Sequence, residues 1–528
     1  FEAALLHATP TPEARLSKAC AVYSLVGEFT QVCTALAQAI VADMHLPVGK
    51  RRLPPVDGTM GIAGGEKYVH GNLFFKFARD VHGVYGGDEG AIKAAGAELR
   101  SLEHLIQTDT PGLSFPLMCT VDYMGHRLVC QSKLPLDSST LVYGSDDQGR
   151  TVHTKDAVMN HVMAVACSAL NLAPHNAGRN PEDMRFIYGP TDVEGHTVLR
   201  DYGPRRYVLD VARLFPPVSR SVIPGYLGAS MTVIPVDVAT PEEASFTLDF
   251  RKKLKALLCE GTMFYVHSVC VPLVFARTPS SPPTHQLGTN RRASELAKRP
   301  ITGTAVLVRD FGAVLFQLLR PEFVRGWEQP LSSDAYSTFG TCSACFSNTI
   351  RCQHGGSVLN TAVTAASAHL FRVTIPEFAE QLNASKVSVA DASQLVALTH
   401  AHGISCGFLG HVLRLVTAPF ARRLILTEML ARALRGHLRG HMRAATPSTF
   451  SAVMAPVLDC IMSPTEAEFW GRVLRDLRRK FHDTLKGDGL DTAEELMAQV
   501  GRLPLLVRVL ELTGLTVGDA FLRAVVSN

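Results

Sequence analysis

A lysine, a glutamate and an aspartate follow one another in an order that is typical of phosphate-transferring proteins. Lys76 lies in an apolar run, Glu98 follows in a segment with helical spacing, and Asp210 ends a later apolar run. In protein kinases a strand lysine holds the phosphates, a helix glutamate orients it, and an aspartate carries magnesium. The order predicts a nucleotide-like pocket in a kinase-like topology. The alternative is a structural ion pair between Lys76 and Glu98.

The motifs that would complete a kinase are missing from this sequence. No His-Arg-Asp tripeptide precedes Asp210, the residues that begin with Asp210 read Asp-Val-Ala and not Asp-Phe-Gly, and residues 63–68 form only a partial glycine-rich loop. Walker loops and the common hydrolase motifs are also absent from the sequence. We therefore expect no catalytic residue, no phosphotransferase activity and no tight binding of magnesium–ATP.

A second candidate site is rich in sulfur. Cys342 and Cys345 form a Cys-x-x-Cys pair, and Cys352 and His354 follow closely. Thiolate and imidazole are the ligands of structural zinc, and a Cys-x-x-Cys spacing places two thiolates on one turn. Free thiols in a loop are the alternative. With twelve cysteines in 528 residues, the chain does not have the composition of a secreted disulfide scaffold.

Arginines repeat along one helical segment near the C-terminus. Arg435, Arg439 and Arg443 stand at intervals of four, which places them on one helix face. Guanidinium groups bind phosphate with two parallel hydrogen bonds, so the row predicts contact with an RNA backbone. A solvated face and a bridge to acidic residues elsewhere are the alternatives. A second basic cluster further along comprises Arg475, Arg478, Arg479 and Lys480.

The candidate site residues lie in two kinds of segment, one with mixed strand and helix patterns and one with helical patterns. Residues 1–50 have helical spacing, 51–276 alternate between strand, turn and helix patterns, and 301–528 are helical. Within the second of these segments the patterns predict one strand over 67–80, a helix that begins at Asp88, a hairpin around Met124 and Gly125, and another hairpin over 196–217. Residues 277–300 are rich in proline, serine and basic residues, which predicts a linker or mobile loop. The fold class is therefore an α+β domain followed by an all-α domain.

Composition limits the class of protein. The chain is 46% hydrophobic and 19% charged with a net charge of +4, which indicates a globular, weakly basic protein. We expect no transmembrane segment and no signal peptide. Because the first residue is Phe1, we also expect a trimmed chain or a piece of a longer one.

Several segments together resemble the clustered-mitochondria (Clu) family. Residues 71–102 and the segments "VDYMGHRLVCQSKLP" and "YVLDVARLFPP" are similar to its Clu domain, and "LLRPEFV", "PLSSDAYSTFG" and "GISCGFLGHV" are similar to the helical region that follows. The resemblance implies a cytoplasmic protein that binds messenger RNAs for mitochondrial proteins, associates with ribosomes and translation-linked partners, and affects mitochondrial distribution, including at the mitochondrial surface.

The function expected from residues and resemblance together is that of a non-enzymatic binding protein for RNA and ribosome-associated partners. No cofactor is expected apart from the candidate zinc. Two alternatives remain open. One is a protein scaffold, a structural subunit of a large assembly that makes no RNA contact. The other is a kinase-like, ATP-binding pseudoenzyme.

Overall fold

The computed structural model describes residues 4, 10–56, 64–83, 85–147, 149–178, 184–200, 203–219, 222–224, 262–266, 305–309, 317–336, 355–481 and 492–527. The candidate zinc cluster at 342–354 and the predicted linker at 277–300 lie outside these residues.

Strands occupy the first half of the described chain, with two further strands near its middle. They are β1 (Lys67–His70), β2 (Leu73–Phe77), β3 (Leu113–Ser114), β4 (Met118–Tyr123), β5 (His126–Ser132), β6 (Leu141–Gly144), β7 (His153–Thr154), β8 (His175–Ala177), β9 (Arg185–Ile187), β10 (Glu194–Val198), β11 (Arg205–Leu209), β12 (Thr262–Val266) and β13 (Ala305–Arg309).

Helices open the chain, interrupt the strands and make up most of the second half. They are α1 (Pro12–Ala42), α2 (Asp88–Gln107), α3 (Ala157–Ala169), α4 (Pro321–Gly326), α5 (Gly355–His369), α6 (Ile375–Asn383), α7 (Ala392–Ala401), α8 (Leu409–Leu415), α9 (Pro419–Ala444), α10 (Phe450–Met462), α11 (Ala467–Lys480), α12 (Ala493–Val500), α13 (Arg502–Thr513) and α14 (Asp519–Ser527). The prediction of an α+β region followed by a helical region is confirmed.

The long helix α1 packs one face against the first sheet. Thr11 caps it by accepting a hydrogen bond from the backbone N–H of Ala14, at 3.2 Å. Phe29, Cys33 and Ala37 recur every four residues and are buried together with strand residues. By length and composition alone α1 could cross a membrane, but core helices of folded domains meet the same measure, so this is weak evidence against the expected absence of a transmembrane segment.

The first sheet has the order β1-β2-β5-β4, with antiparallel neighbours throughout. The segment predicted as one strand from Lys67 to Asp80 is instead a hairpin, because Gly71 turns the chain with a φ of 56°. The predicted switch to a helix at Asp88 is confirmed. So is the hairpin around Met124 and Gly125, whose φ angles are both positive.

The second sheet has the order β3-β11-β10-β6-β7. Its centre is the predicted hairpin of β10 and β11, in which Glu194 lies opposite Leu209. Gly144 must be glycine here, because its φ is 78° and an added Cβ would collide with the carbonyl oxygen of Val193. Asp210 follows β11 directly, so this sheet positions one of the predicted site residues.

The helices of the second half surround α9, whose buried residues contact α10, α11, α13 and other helices. One hydrophobic core runs from Leu102 and Tyr143 in the α+β region to Leu434 and Val509 in the helical region. Because the two regions share this core, their side chains can combine in one site. The domain limits given above stay predictions.

Candidate functional site

Three residues predicted from sequence order lie close enough to influence one another. Lys76 is half-buried on β2, Glu98 is half-buried on α2, and Asp210 is exposed just after β11. Glu194, on β10, joins them. We call these four residues the lysine–carboxylate cleft. Sequence reasoning missed Glu194, because it reads as an ordinary polar position in a hairpin strand.

The charges in this cleft act on Lys76 from several sides. Burial, the largest influence, lowers the pKa of Lys76, but Asp210 and Glu98 together raise it above its ordinary value. Among the described residues, Lys76 makes no salt bridge to any carboxylate of the cleft. The simple ion pair between Lys76 and Glu98 is therefore not observed. The charges influence one another from beyond salt-bridge distance.

The carboxylates of the cleft repel one another. Burial raises the pKa of Asp210 well above its usual range, and Glu194 and Glu98 raise it further. Burial likewise raises the pKa of Glu98, against the lowering effect of Lys76. As a residue, Asp210 is nevertheless exposed to solvent. Such a group favours a proton or a cation, and carboxylate oxygens are ligands of magnesium.

The loop before α2 fixes the direction of that helix and hence the position of Glu98. The carboxylate of Asp80 accepts hydrogen bonds from the backbone N–H groups of Tyr85 and Gly87, each at 2.8 Å. Asp88 in turn accepts from the N–H of Asp80 at 2.8 Å. Gly87 has a φ of 108°, which only glycine adopts readily.

A second cluster of charge lies between the two regions of the chain. Lys93 on α2, Arg435 on α9 and Lys480 at the end of α11 surround Glu89. Lys93 is exposed, whereas Arg435 and Lys480 are half-buried. We call these three cations the cationic pocket. The Nζ atom of Lys480 donates to the carbonyl oxygen of Arg432 at 2.9 Å.

The pocket holds more positive charge than its neighbours neutralise. Burial lowers the pKa of Lys480 to about 7, against the raising effect of Glu89. Burial also lowers the pKa of Arg435 to about 10, and Arg439 and Arg432 lower it further. The buried Nε atom of Arg435 has no hydrogen-bond partner in the described part of the chain. An anion placed here would relieve the repulsion and satisfy that donor.

Arg439 and Arg443, two arginines of the row predicted to contact RNA phosphate, instead pair with acidic side chains of the chain itself. Arg439 has only 7% of its side chain exposed and contacts Glu89 at 3.3 Å and Asp122 at 3.6 Å. Arg443 contacts Asp88 at 2.8 Å and donates to the carbonyl oxygen of Gly125, also at 2.8 Å. These are bridges to acidic residues, the alternative considered above, because α9 faces the start of α2. Of the row, Arg435 is the one placed in the pocket.

The arginines of α11 are more accessible. Arg475 and Arg479 are exposed, and Arg478 is half-buried. Arg479 makes a surface pair with Asp476 at 3.0 Å, with 81% of the arginine side chain exposed. Phosphate binding by these residues stays a prediction.

Sequence reasoning also missed a buried polar network centred on Asp334. Its carboxylate accepts from His175 at 2.9 Å, from the backbone N–H of Thr191 at 2.7 Å and from Arg213 at 3.1 Å. Arg213 also pairs with Asp192. The network connects the α+β region to the segment that contains Asp334, between α4 and α5. The local sequence does not mark Asp334, because it follows Ser332 and Ser333 and reads as an ordinary polar loop position.

Comparison with known proteins agrees with this two-part organisation. A family model described as "Clustered mitochondria" matches residues 1–219. A model described as "Translation initiation factor eIF3 subunit 135" matches residues 386–515, which include α9 and α11. The chain thus combines a region similar to the Clu model with a helical region similar to the initiation-factor model, and the resemblance to the clustered-mitochondria family is confirmed.

Several curated relatives are named clustered mitochondria protein homologs. The clustered mitochondria protein homolog of Caenorhabditis elegans is 24% identical over 75% of this chain and 33% of its own length. Protein clueless of Drosophila ananassae is 22% identical over 85% of this chain and 34% of its own length. The chain therefore spans about a third of the length of these relatives. No solved structure matches it.

Proposed function

We propose that this chain is a non-enzymatic binding module that holds RNA phosphate in the cationic pocket and works beside translation-linked partners. The observation that carries the proposal is the surplus positive charge of Lys93, Arg435 and Lys480. Arginine and lysine contacts to phosphate supply most of the sequence-independent affinity for nucleic acid.

The similarity to known proteins supports the proposed link to translation and to the distribution of mitochondria. Relatives of this chain are named for clustered mitochondria, and its helical region matches an initiation-factor subunit. We propose that the chain binds messenger RNAs for mitochondrial proteins in the cytoplasm, including at the mitochondrial surface, and thereby affects where mitochondria lie. Its partners would be ribosome-associated proteins.

The test compares two double variants that each remove two positive charges. Lys93→Gln with Arg435→Gln alters the pocket, and Arg423→Gln with Arg502→Gln alters exposed arginines outside both basic clusters. Binding of single-stranded RNA is measured at several salt concentrations. Each phosphate contact contributes roughly 0.7 to the salt slope, so the pocket variant should lose about 1.4. The control should keep the wild-type slope.

Two outcomes would count against this function. If the pocket variant binds RNA with wild-type affinity and slope, the pocket does not hold phosphate. If the wild-type chain shows no salt-dependent RNA binding, the alternative of a protein scaffold without RNA contact is favoured. Circular dichroism of both double variants checks that any loss does not come from unfolding.

The lysine–carboxylate cleft favours a second candidate function, the binding of a divalent cation with a nucleotide in a kinase-like pseudoenzyme. The specific observation is that Lys76 influences the pKa of both Glu98 and Asp210, and that these two carboxylates repel each other. The departures from kinase motifs still predict no catalysis and no tight magnesium–ATP binding.

Melting curves with magnesium alone and with magnesium–ATP test this candidate. A ligand whose free concentration is a hundred times its dissociation constant raises the free energy of unfolding by about 2.7 kcal/mol. A shift that Asp210→Asn abolishes would support the cleft as its site. Asparagine tolerates the left-handed backbone at this position, where φ is 53°. No shift at millimolar nucleotide would remove the candidate.

A further inference from the structure

Three cysteines from distant parts of the sequence meet beside the first sheet. Cys33 lies on α1, Cys119 on β4 and Cys130 on β5, and their Sγ atoms are all within 4.8 Å of one another. Cys119 and Cys130 are directly opposite each other in the antiparallel pair. Cys33 reaches them because it is on the face of α1 that packs against these strands. We call this group the thiol triad.

The surroundings of the triad are apolar. Cys33 and Cys130 are fully buried, and Cys119 is half-buried. Phe75, Val121 and other hydrophobic side chains form the same core cluster. Among the described residues, no histidine or carboxylate joins the group. Any ligand that the triad binds must therefore prefer sulfur, be small, and enter from the side of Cys119.

The spacing of the sulfur atoms suits a single metal ion. Thiolates bind zinc at about 2.3 Å, so three of them around one ion in a plane stand about 4 Å apart. The observed limit of 4.8 Å allows this arrangement with only small rotamer changes. Thiolate is a soft ligand, and soft ligand sets select zinc or copper(I) over magnesium and calcium.

We propose that Cys33, Cys119 and Cys130 form a binding site for one thiophilic d10 cation, zinc(II) or copper(I). Each thiol that coordinates the ion releases its proton to solvent, and no electron is transferred. Copper(I) is satisfied by three sulfurs. Zinc usually takes a fourth ligand, which water could supply on the accessible side of Cys119. The bound ion would fasten α1 to β4 and β5.

The experiment uses the full chain with Cys342→Ser and Cys345→Ser, so that the other candidate cluster cannot hold metal. The protein is stripped of metal under reducing, oxygen-free conditions and titrated separately with zinc(II) and with copper(I). Elemental analysis after gel filtration gives the stoichiometry, and melting curves give the stabilisation. Copper–thiolate charge-transfer absorption, and the visible bands of cobalt(II) used in place of zinc, distinguish the two ions.

Single variants identify the ligands. Cys33→Ala and Cys119→Ala should each reduce the bound metal at least tenfold and abolish the rise in melting temperature. Cys20→Ser is the matched control, because Cys20 is an exposed cysteine on the same helix, and it should bind one equivalent. Circular dichroism and the melting temperature of each metal-free variant show whether it is folded.

Three results would overturn the proposal. The first is less than a tenth of an equivalent of either metal on the folded, reduced protein. The second is metal that remains bound when Cys33 and Cys119 are both replaced by alanine. The third is a disulfide between Cys119 and Cys130 that persists in the reduced preparation, since these two sulfurs would then be unable to bind an ion.

Discussion

Replacing Lys480 tests the electrostatics of the cationic pocket most directly. Burial lowers the pKa of this lysine from 10.5 to about 7. The folded protein therefore holds the charged lysine less well than the unfolded chain does. At roughly 1.4 kcal/mol for each pH unit, the difference destabilises the folded state by roughly 5 kcal/mol below neutral pH. Lys480→Met removes the charge and keeps most of the apolar stem.

The effect has a definite dependence on pH. Between pH 7 and 10.5 the unfolded chain binds the proton and the folded chain does not, so wild-type stability rises with pH in this window. The destabilisation of the folded state by Lys480 should therefore be roughly 3 kcal/mol smaller at pH 9 than at pH 6. Loss of the hydrogen bond to the Arg432 carbonyl reduces the gain from Lys480→Met by about 1 kcal/mol at every pH.

Urea unfolding of wild type and Lys480→Met at pH 6 and pH 9 measures both quantities. The variant should be more stable than wild type at pH 6, and its advantage should nearly vanish at pH 9. Arg479→Met is the matched control, because Arg479 has 81% of its side chain exposed on the same helix. A stability difference that is equal at both pH values would show that Lys480 titrates normally, and the surplus charge in the pocket would then be refuted.

Three further substitutions test charged residues of the two sites and of the network centred on Asp334. Arg439→Gln should lower the unfolding free energy in urea by only about 1 kcal/mol, because Glu89 and Asp122 are 45% and 43% exposed and can regain water; a change above about 3 kcal/mol would contradict this. Asp334→Asn should lower the free energy of unfolding by about 3–5 kcal/mol. Burial alone would raise the pKa of Asp334, but Arg213 and His175 outweigh this effect and hold it far below 3.8. The charged Asp334 contributes its full stabilisation above pH 3.8, and this contribution is lost as the pH falls toward the lowered pKa of the folded state. An Asp334→Asn variant as stable as wild type at pH 7 would show that the carboxylate does not stabilise the fold. Asp210→Asn should raise the melting temperature at pH 7, since it removes one of several repelling carboxylates; a lower temperature would show that the charge is stabilising.

The sequence by itself predicted the elements and the order of the first candidate site. Spacing identified α2 and its start at Asp88, and turn residues identified the hairpin at Met124 and Gly125. These features depend on local rules, such as the preference of glycine for positive φ, and they hold whatever surrounds them. The order of Lys76, Glu98 and Asp210 indicated residues whose charges influence one another, and nucleotide binding by them stays a prediction.

Only the tertiary structure decided which partners those residues have. Helical spacing placed Arg435, Arg439 and Arg443 on one face, but the face that α9 turns toward α2 is set by packing of the shared core. That packing pairs Arg439 and Arg443 with acidic residues about 350 positions earlier and leaves Arg435 among cations. The thiol triad arises in the same way. A periodic sequence specifies which side chains share a surface, whereas the docking of surfaces, and hence the charge or ligand that each one meets, depends on contacts between distant segments.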